Sequence, residues 1–374
     1  MTYIFGKVLA VNSSIILLFA NISVWSFCAP ATLGDWNPQI YNAIKWTAPN
    51  QGIQTIQYTT LNGITQVPMA YHGGVDTNAS GEITDKNIEK FTRWVHTYLP
   101  EDYCGPVVMD YEQPWWKEIL SKDISPERLQ LILSVYIKGM QTAKNIQPSA
   151  QWGYWGLPAL RNTSSRWLDQ GLSLEPLINQ CNALYPDVYN CTPGKDKTEL
   201  AQKHISKVLE QAAGRIPVYV FASVRYCGPE VGHSDFVPDE IFLRQVNAAL
   251  RATWVDKNGE QHRIKGIILW DAYGFSPKEE WEELDQKHKH YFELLQALSE
   301  AWTKAMVGKN VITRTLASPE CTFGLPEPSN SSGAIYDEPL DGQNNRIHTD
   351  RVQEEPVESL RVPSGRIRGD RLEE

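Results

Sequence analysis

Two carboxylic acids stand two residues apart at the end of a short apolar run. The run covers residues 105–109 and is too short for a buried helix, so it predicts a buried strand. Side chains two apart on a strand point to the same face, with alpha carbons about 6.5 Å apart. Asp110 and Glu112 are therefore expected to share one small volume, while Tyr111 faces the other way.

Acids held this close in a partly dry site cannot both ionise freely. Loss of water and the charge of a neighbouring acid both favour the neutral form of a carboxyl group. One of the two is then protonated near neutral pH, which is the state that a general acid needs. The competing interpretation is a strand end whose acids are solvated or cap the next helix, and a lone D-x-E motif does not decide between them.

The composition limits the classes of function. The chain has 374 residues, 42% of them hydrophobic, and 13 tryptophans, which is enough for a large core. Its net charge of −9 provides no overall attraction for nucleic acid or for an anionic membrane surface. We expect neither as a partner, and we expect a monomer.

Three segments are predicted along the chain. Residues 1–28 indicate a signal peptide, because their apolar stretches are too short and too interrupted to span a bilayer. Residues 29–315 form the predicted folded domain. Residues 316–374 are rich in Pro, Ser, Gly and charged residues and predict a disordered acidic, polar tail. The expected location is extracellular, with no membrane span in the mature chain.

Export would allow disulfide bonds and glycosylation. One or two disulfides are expected, with Cys181 and Cys191 as the most local candidate pair. After the predicted signal peptide, four asparagines stand in N-x-S/T triplets and permit glycosylation: Asn78, Asn162, Asn190 and Asn330.

Predicted strands and helices alternate along the folded domain. Strands are predicted at 53–58, 67–71, 105–109, 151–155, 183–185, 216–222 and 264–270, with an irregular lead-in over 32–49. Helices are predicted after the N-caps Thr84 and Ser125 and over 197–213, 239–254 and 277–306. Apolar strands that alternate with helices predict an α/β fold with a parallel sheet wrapped by helices. About seven such strands favour a distorted (β/α) TIM-like barrel.

In such a barrel, functional side chains gather at the carboxyl ends of the strands. Besides the two acids, the predicted strand ends carry these residues: Trp152, Tyr154, Trp155, Tyr185, Phe221, Ser223, Arg225, Trp270 and Asp271. Aromatic rings around paired acids suit a sugar, whose C–H faces stack on the rings and whose hydroxyls form hydrogen bonds. Taken singly, each aromatic residue also fits ordinary core packing.

These residues resemble the hyaluronidases, which are β/α-barrel hydrolases of N-acetylhexosamine polysaccharides. The resemblance covers most of residues 65–275. It rests on GGV at 73–75, VVMDYE at 107–112, WGYWGLP at 152–158, ALYPDVY at 183–189 and GIILW at 266–270.

The resemblance implies roles for four of these residues. Glu112 would act as general acid and then base, and Asp110 would position the acetamido group of the substrate. The acetamido oxygen, and no enzyme carboxylate, would attack the anomeric carbon, with retention of configuration. Tyr185 resembles the tyrosine of the family's A-L-Y-P segment, and Trp270 resembles the tryptophan that walls the acetyl pocket.

The chain also departs from the family pattern. Tyr111 stands where the family usually has tryptophan. Phe221 stands where the family has a tyrosine that hydrogen-bonds the acetamido group, and Tyr219 on the same face is the candidate substitute. The predicted function is a secreted endo-β-N-acetylhexosaminidase of hyaluronan or chondroitin type, without metal or cofactor.

The predicted substrate-binding residues are Tyr185, Trp270, Tyr219, Phe221, Tyr154, Trp155 and Asp271. Two alternatives stay open: a catalytically inactive carbohydrate-binding barrel, which Phe221 favours, and a chitinase-type hydrolase. Chitinase-type strands usually carry further aspartates, where this chain has Val108 and Gly105. The histidines show no metal-ligand spacing, and His288 and His290 are predicted to lie on a solvated helix surface.

Overall fold

A computed structural model describes residues 36–227 and 235–307, except residues 47 and 49. The predicted signal peptide (1–28), the predicted tail (316–374) and the triplet at Asn330 lie outside the described residues.

Strands and helices alternate through the described chain. The strands are β1 (Gln39–Asn42), β2 (Thr65–Gln66), β3 (Met69–Ala70), β4 (Pro106–Met109), β5 (Gln151–Tyr154), β6 (Tyr219–Ser223), β7 (Trp254–Val255), β8 (Gln261–His262) and β9 (Gly266–Trp270). The helices are α1 (Ile53–Leu61), α2 (Asp85–Tyr98), α3 (Trp116–Ile119), α4 (Pro126–Ile146), α5 (Ser165–Leu168), α6 (Glu175–Ile178), α7 (Thr198–Ala212), α8 (Asp239–Arg251) and α9 (Trp281–Val307).

The regular strand ladders form two parallel sheets and one hairpin. The larger sheet has the order β2–β1–β9–β6, the smaller has the order β3–β4–β5, and β7 pairs antiparallel with β8. The predicted α/β class with parallel strands is confirmed. Within the described ranges these ladders do not close into one barrel, because residues 183–187, which link β5 to β6, make only single bridges.

Two predicted helix starts are confirmed in detail. At α2, the backbone N–H of Asn87 donates to the Thr84 hydroxyl at 3.3 Å, while the Asn87 side chain accepts from the backbone of Thr84 at 2.9 Å. This reciprocal capping satisfies two backbone donors that a helix leaves unpaired. At α4, Ser125 accepts from the backbone of Arg128 at 3.2 Å, and Pro126 occupies the first turn.

Two predicted elements near the start of the chain are wrong. Residues 53–58 were expected to form a strand and instead form α1, because Asp285 accepts from the backbone N–H groups of Gln54 at 2.8 Å and Thr55 at 2.9 Å. A carboxylate supplied from 230 residues away therefore anchors the first turn of this helix. The lead-in predicted as irregular contains β1, which pairs with both β2 and β9.

The buried side chains divide into two clusters. The larger packs the helices against the outer faces of the strands. The smaller draws on both sheets and on the linking segment, and we call it the interior cluster: Ala43, Val67, Met69, Val108, Ala183, Tyr185, Tyr219, Phe221 and Ile268. Side chains alternate along a strand, so this cluster fixes which residues of each strand can reach the space above it.

The narrow space beside β5 generates a stability prediction. A Cβ added at Gly153 would lie 2.3 Å from the carbonyl oxygen of Ala183, a backbone atom that cannot rotate away. We expect Gly153→Ala to lower the free energy of unfolding by about 2 kcal/mol, in the range found for overpacked cores. Denaturant unfolding measures it. Gly274→Ala is the matched control, since nothing lies within 4 Å of that position. Equal stability of the two variants would contradict the described packing.

Candidate active site

The end of β4 delivers the two acids to one side of the sheet. Val108 belongs to the interior cluster, and Asp110 and Glu112 continue on the same side into a cavity. Tyr111 faces the opposite way, as predicted, and its hydroxyl donates to the Asp76 carboxylate at 2.8 Å. The Tyr136 hydroxyl donates to the carbonyl of Tyr111 at 2.8 Å, which fixes this backbone from the helix side.

The GGV segment supports the same strand end. The backbone N–H of Gly73 donates to the Asp110 carbonyl at 2.9 Å, and the N–H of Asp110 donates to Ala70 at 3.0 Å. Gly74 has a φ of +61°, and a Cβ there would come within 2.9 Å of the Met109 Cβ. Glycine is needed at Gly74 both for the positive φ and for the close approach.

The acids open into a cavity of about 390 Å³. Among the described residues, three carboxyl groups line it, from Asp110, Glu112 and Asp187, together with six aromatic rings, from Trp116, Trp155, Tyr189, Tyr226, Trp270 and Phe275. A larger groove of about 860 Å³ runs along α7 beside His204 and Trp254, but it contains neither of the paired acids. The smaller cavity is therefore the candidate active site.

Four of the rings form a continuous wall. Ring centroids are 5.2 Å apart between Trp116 and Trp155 and 5.9 Å apart between Trp155 and Tyr189. Tyr189 and Trp270 are also 5.9 Å apart and lie within 22° of parallel. A wall of this kind presents the flat apolar surface on which sugar rings stack.

Neighbouring charges favour Glu112 as the proton-holding member of the acid pair. Burial, followed by the negative charges of Asp110 and Asp187, raises the pKa of Glu112 to about 7. Burial raises the pKa of Asp110 to about 6, but the positive charges of His72 and Lys45 oppose that rise. The neighbouring charges therefore favour the ionised form of Asp110 and the neutral form of Glu112. One oxygen of Asp110, Oδ1, is buried without a hydrogen-bond partner among the described residues.

Sequence reasoning missed Asp187 and Tyr189, which both line the cavity. Burial raises the pKa of Asp187 to about 6, opposed by backbone hydrogen bonds. One of these comes from the N–H of Tyr189 at 3.1 Å. The available signal was the alternation of Tyr185, Asp187 and Tyr189 along ALYPDVY, which places all three on one side of an extended chain.

Three predicted substrate-binding residues lie in the interior, beneath the cavity. Tyr185, Tyr219 and Phe221 belong to the interior cluster and do not line the cavity. The hydroxyl of Tyr185 accepts from the N–H of Val107 at 3.1 Å, and that of Tyr219 donates to Gln151 at 2.6 Å. Asp187 follows Tyr185 by two residues and Ser223 follows Phe221 by two residues, and both line the cavity. Tyr219 lies one layer lower still, two residues before Phe221. Trp155 and Trp270 do reach it.

Two others face away from the cavity. Tyr154 and Asp271 are each adjacent in sequence to a cavity tryptophan, so the alternation of the strand turns them outward. The hydroxyl of Tyr154 donates to the carbonyl of Tyr136 at 2.8 Å. Both oxygens of Asp271 accept from Arg225 Nε at 2.9 Å.

His288 is not on a solvated surface, and that prediction is wrong. It is fully buried, and its Nε2 lies 2.7 Å from Asp271 Oδ2. Arg225 and Asp271 are 3% and 0% exposed and form a buried ion pair, to which His288 is hydrogen-bonded. Asp271, which directly follows β9, bonds to His288 because the final helix α9 packs across it. The spacing of residues along the helix does not reveal this contact. His290, two residues on, is exposed as expected and contacts Asp239 at 2.8 Å.

The disulfide differs from the predicted pair. Cys191 bonds Cys227 at the edge of the cavity, while Cys181 is a buried thiol in the helix-facing core. Sequence separation misled the prediction because the linking segment turns Cys181 and Cys191 to different surroundings.

Two of the glycosylation triplets are not accessible in the folded chain. Asn162 and Asn190 are each 1% exposed, whereas Asn78 is exposed. The Asn162 side chain is used within the fold, donating to the carbonyl of Ile119 at 3.2 Å.

One group within the described chain has the residue types of a metal site. Asp256, Glu260 and His262 place ligand atoms within 4.8 Å of one another on the β7–β8 hairpin, and none of them lines the cavity. The Asp256 carboxylate already accepts from the backbone of Asn258 at 2.9 Å and of Glu260 at 2.8 Å. The group therefore has a sufficient role in holding the turn.

A protein of known crystal structure has a similar fold. The fold is similar to that of bee venom hyaluronidase. The similarity has a TM-score of 0.51 at 13% identity and covers 70% of this chain and 99% of the enzyme. A second structure of that enzyme, with a hyaluronic acid tetramer, gives 0.48 at 13% identity, covering 71% and 99%. At this identity the likeness describes the fold alone.

Sequence comparison adds no closer assignment. No family model matches the chain, and no curated protein matches its sequence. Among the helices in the described ranges, none is both long enough and apolar enough to cross a bilayer.

The coupling between the acids generates a test that does not require activity. Asp110→Asn removes a negative charge that raises the pKa of Glu112, so the pKa of Glu112 should fall. Carbon-13 NMR of labelled glutamate carboxyl groups measures this shift. Asp169→Asn removes the same charge from an exposed site and should leave it unchanged. An unaltered titration in Asp110→Asn would place the two acids too far apart to interact.

Proposed function

We propose that the protein is a glycoside hydrolase that cleaves within polysaccharides containing N-acetylhexosamine and retains the anomeric configuration. The observation that carries this proposal is Glu112, an acid whose pKa is raised to about 7 beside Asp110 in an open cavity. The ring wall supplies a surface for sugar stacking. The similarity to one hyaluronidase fold supports the same class of reaction.

In this mechanism Glu112 gives its proton to the oxygen of the glycosidic bond as that bond breaks. The acetamido oxygen of the same sugar attacks the anomeric carbon and forms a cyclic oxazolinium ion. Asp110, ionised, accepts a hydrogen bond from the acetamido nitrogen and stabilises the positive charge. Water then opens the ring at the anomeric carbon and passes a proton to Glu112, which restores the acid. Two inversions give net retention.

The position of the two acids supports assistance by the substrate. Asp110 and Glu112 project from one strand end, so they approach the sugar from the same side. A nucleophilic carboxylate is expected on the opposite face of the sugar from the acid. Asp187 lines the cavity from another segment and is the alternative nucleophile. Dependence of turnover on the 2-acetamido group distinguishes the two mechanisms.

We also propose that the two sheets belong to one distorted barrel of about seven strands. Trp155 bridges Tyr185, and Leu184 and Asp187 bridge Val218 and Phe221, so residues 183–187 connect β5 to β6.

We further propose that residues 1–28 direct secretion and that the protein acts as a monomer. The Cys191–Cys227 disulfide supports an oxidising compartment.

A carbohydrate-binding protein without turnover is the second candidate. The observation that favours it is Phe221, which supplies no hydroxyl, together with Tyr219, whose hydroxyl is engaged by Gln151 below the cavity. Neither residue is then available to orient an acetamido group. Binding of chitin or glycosaminoglycan oligosaccharides by the wild-type protein without any hydrolysis would select this candidate.

We expect Glu112→Gln to lower kcat by at least about a hundredfold, because the amide has nearly the same shape but cannot donate the proton. A reducing-end assay on hyaluronan, chondroitin and chitin oligosaccharides measures the loss. Thermal unfolding of the variant serves as the folding control. Wild-type rates from a folded Glu112→Gln protein would remove this residue from the mechanism.

Asp110→Asn should lower kcat more than it raises KM, because the charge that Asp110 stabilises develops only during the reaction. Steady-state kinetics on the best substrate of the panel gives both constants. A defect confined to KM would make Asp110 a binding residue only.

Retention predicts that the first product released by the wild-type protein has the same anomeric configuration as the substrate linkage. Proton NMR of that product measures it.

A further inference from the structure

The charges around the cavity are unevenly balanced. Asp110 has positive charges near it, from His72 and Lys45. Glu112 is protonated near neutral pH in the proposed mechanism. Asp187 is different, because the groups that act on its carboxyl are backbone hydrogen-bond donors and no basic side chain of the described chain is among them.

The basic side chain at the cavity does not offset Asp187. Arg225 is the basic residue among the described lining residues, and its Nε lies 2.9 Å from both oxygens of Asp271. Its Nη2 also donates to the Ser276 hydroxyl at 3.1 Å. The charge of this guanidinium is therefore matched by the buried Asp271, which faces away from the cavity.

Asp187 lines the same cavity as the electron-rich rings. Tyr189, two residues on, sits between Trp155 and Trp270 with centroid separations of 5.9 Å on each side. Aromatic faces and a carboxylate together attract an ammonium group more strongly than a neutral one, and they repel a carboxylate.

We propose that Asp187 selects hexosamine polymers in which some units carry a free amino group. In this proposal, which rests on the proposed hydrolase function, an N-acetylated sugar occupies the position above Asp110 and Glu112. The protonated amine of a neighbouring unit pairs with Asp187 against the Trp155–Tyr189–Trp270 wall. The uronate groups of hyaluronan and chondroitin are disfavoured at the same place.

The test compares binding and turnover of three probes: partly N-deacetylated chitin oligosaccharides, the fully N-acetylated oligosaccharides of equal length, and hyaluronan oligosaccharides. Calorimetry with Glu112→Gln gives affinities without hydrolysis, and wild-type kinetics gives kcat/KM. We expect the deacetylated probe to bind about tenfold more tightly than the acetylated one, as a charge-assisted contact allows. Hyaluronan should bind most weakly.

Asp187→Asn, placed in the Glu112→Gln background for binding, should reduce the preference for the deacetylated probe to about twofold or less. Asp169→Asn in the same background is the control, because it removes an equal charge from an exposed position. An unchanged preference in Asp187→Asn, or no preference in the parent protein, overturns the proposal. Loss of wild-type turnover on both probes alike when Asp187 is replaced also overturns it and makes Asp187 a nucleophile.

The same experiments distinguish failure of the proposed hydrolase function from failure of the proposed role of Asp187. Absence of hydrolysis of every probe by the wild type refutes that function, while the calorimetric preference still decides the role of Asp187.

Discussion

Burial of two carboxyl groups at the end of β4 is the constraint around which the site is built. A carboxylate removed from water is costly, so burial raises the pKa of both acids, and the negative charges of Asp110 and Asp187 add to that rise at Glu112. Lys45 and His72 favour ionisation of Asp110, whereas the charged neighbours that act on Glu112 among the described residues are both acids, Asp110 and Asp187. The difference in surroundings assigns different chemical roles to two acids that are two residues apart.

The two-residue repeat of the strands decides which other side chains take part. On β5 and its extension, Trp155 reaches the cavity while Tyr154 packs against Tyr136 of α4. At the end of β9, Trp270 reaches the cavity while Asp271 faces away from it and bonds to Arg225 and His288. The neighbour of each tryptophan is thus fixed away from the cavity: Tyr154 bonds to Tyr136 of α4, and Asp271 bonds to His288 of α9 and to Arg225.

The interior cluster separates the chemistry from the base of the fold. Tyr185 and Tyr219 stack with centroids 5.7 Å apart, and their hydroxyls bond to Val107 and Gln151 rather than to anything in the cavity. They give the cavity a rigid floor whose polar atoms are already satisfied. Polar groups that remain available to a ligand are consequently concentrated in the layer of Asp110, Glu112 and Asp187.

The sequence by itself determined the α/β class, the capped helices α2 and α4, and the shared direction of Asp110 and Glu112, because these depend on short-range periodicity and local hydrogen bonds. It also pointed to Trp155 and Trp270. Only the tertiary structure decided that Tyr185 and Phe221 lie one layer below the cavity, that Asp187 and Tyr189 line it, and that Cys191 pairs with Cys227. Those outcomes depend on the stagger between strands and on contacts such as Asp285 with α1 and His288 with Asp271. Such contacts join residues far apart in the chain, and local patterns carry no information about which distant group satisfies a buried one.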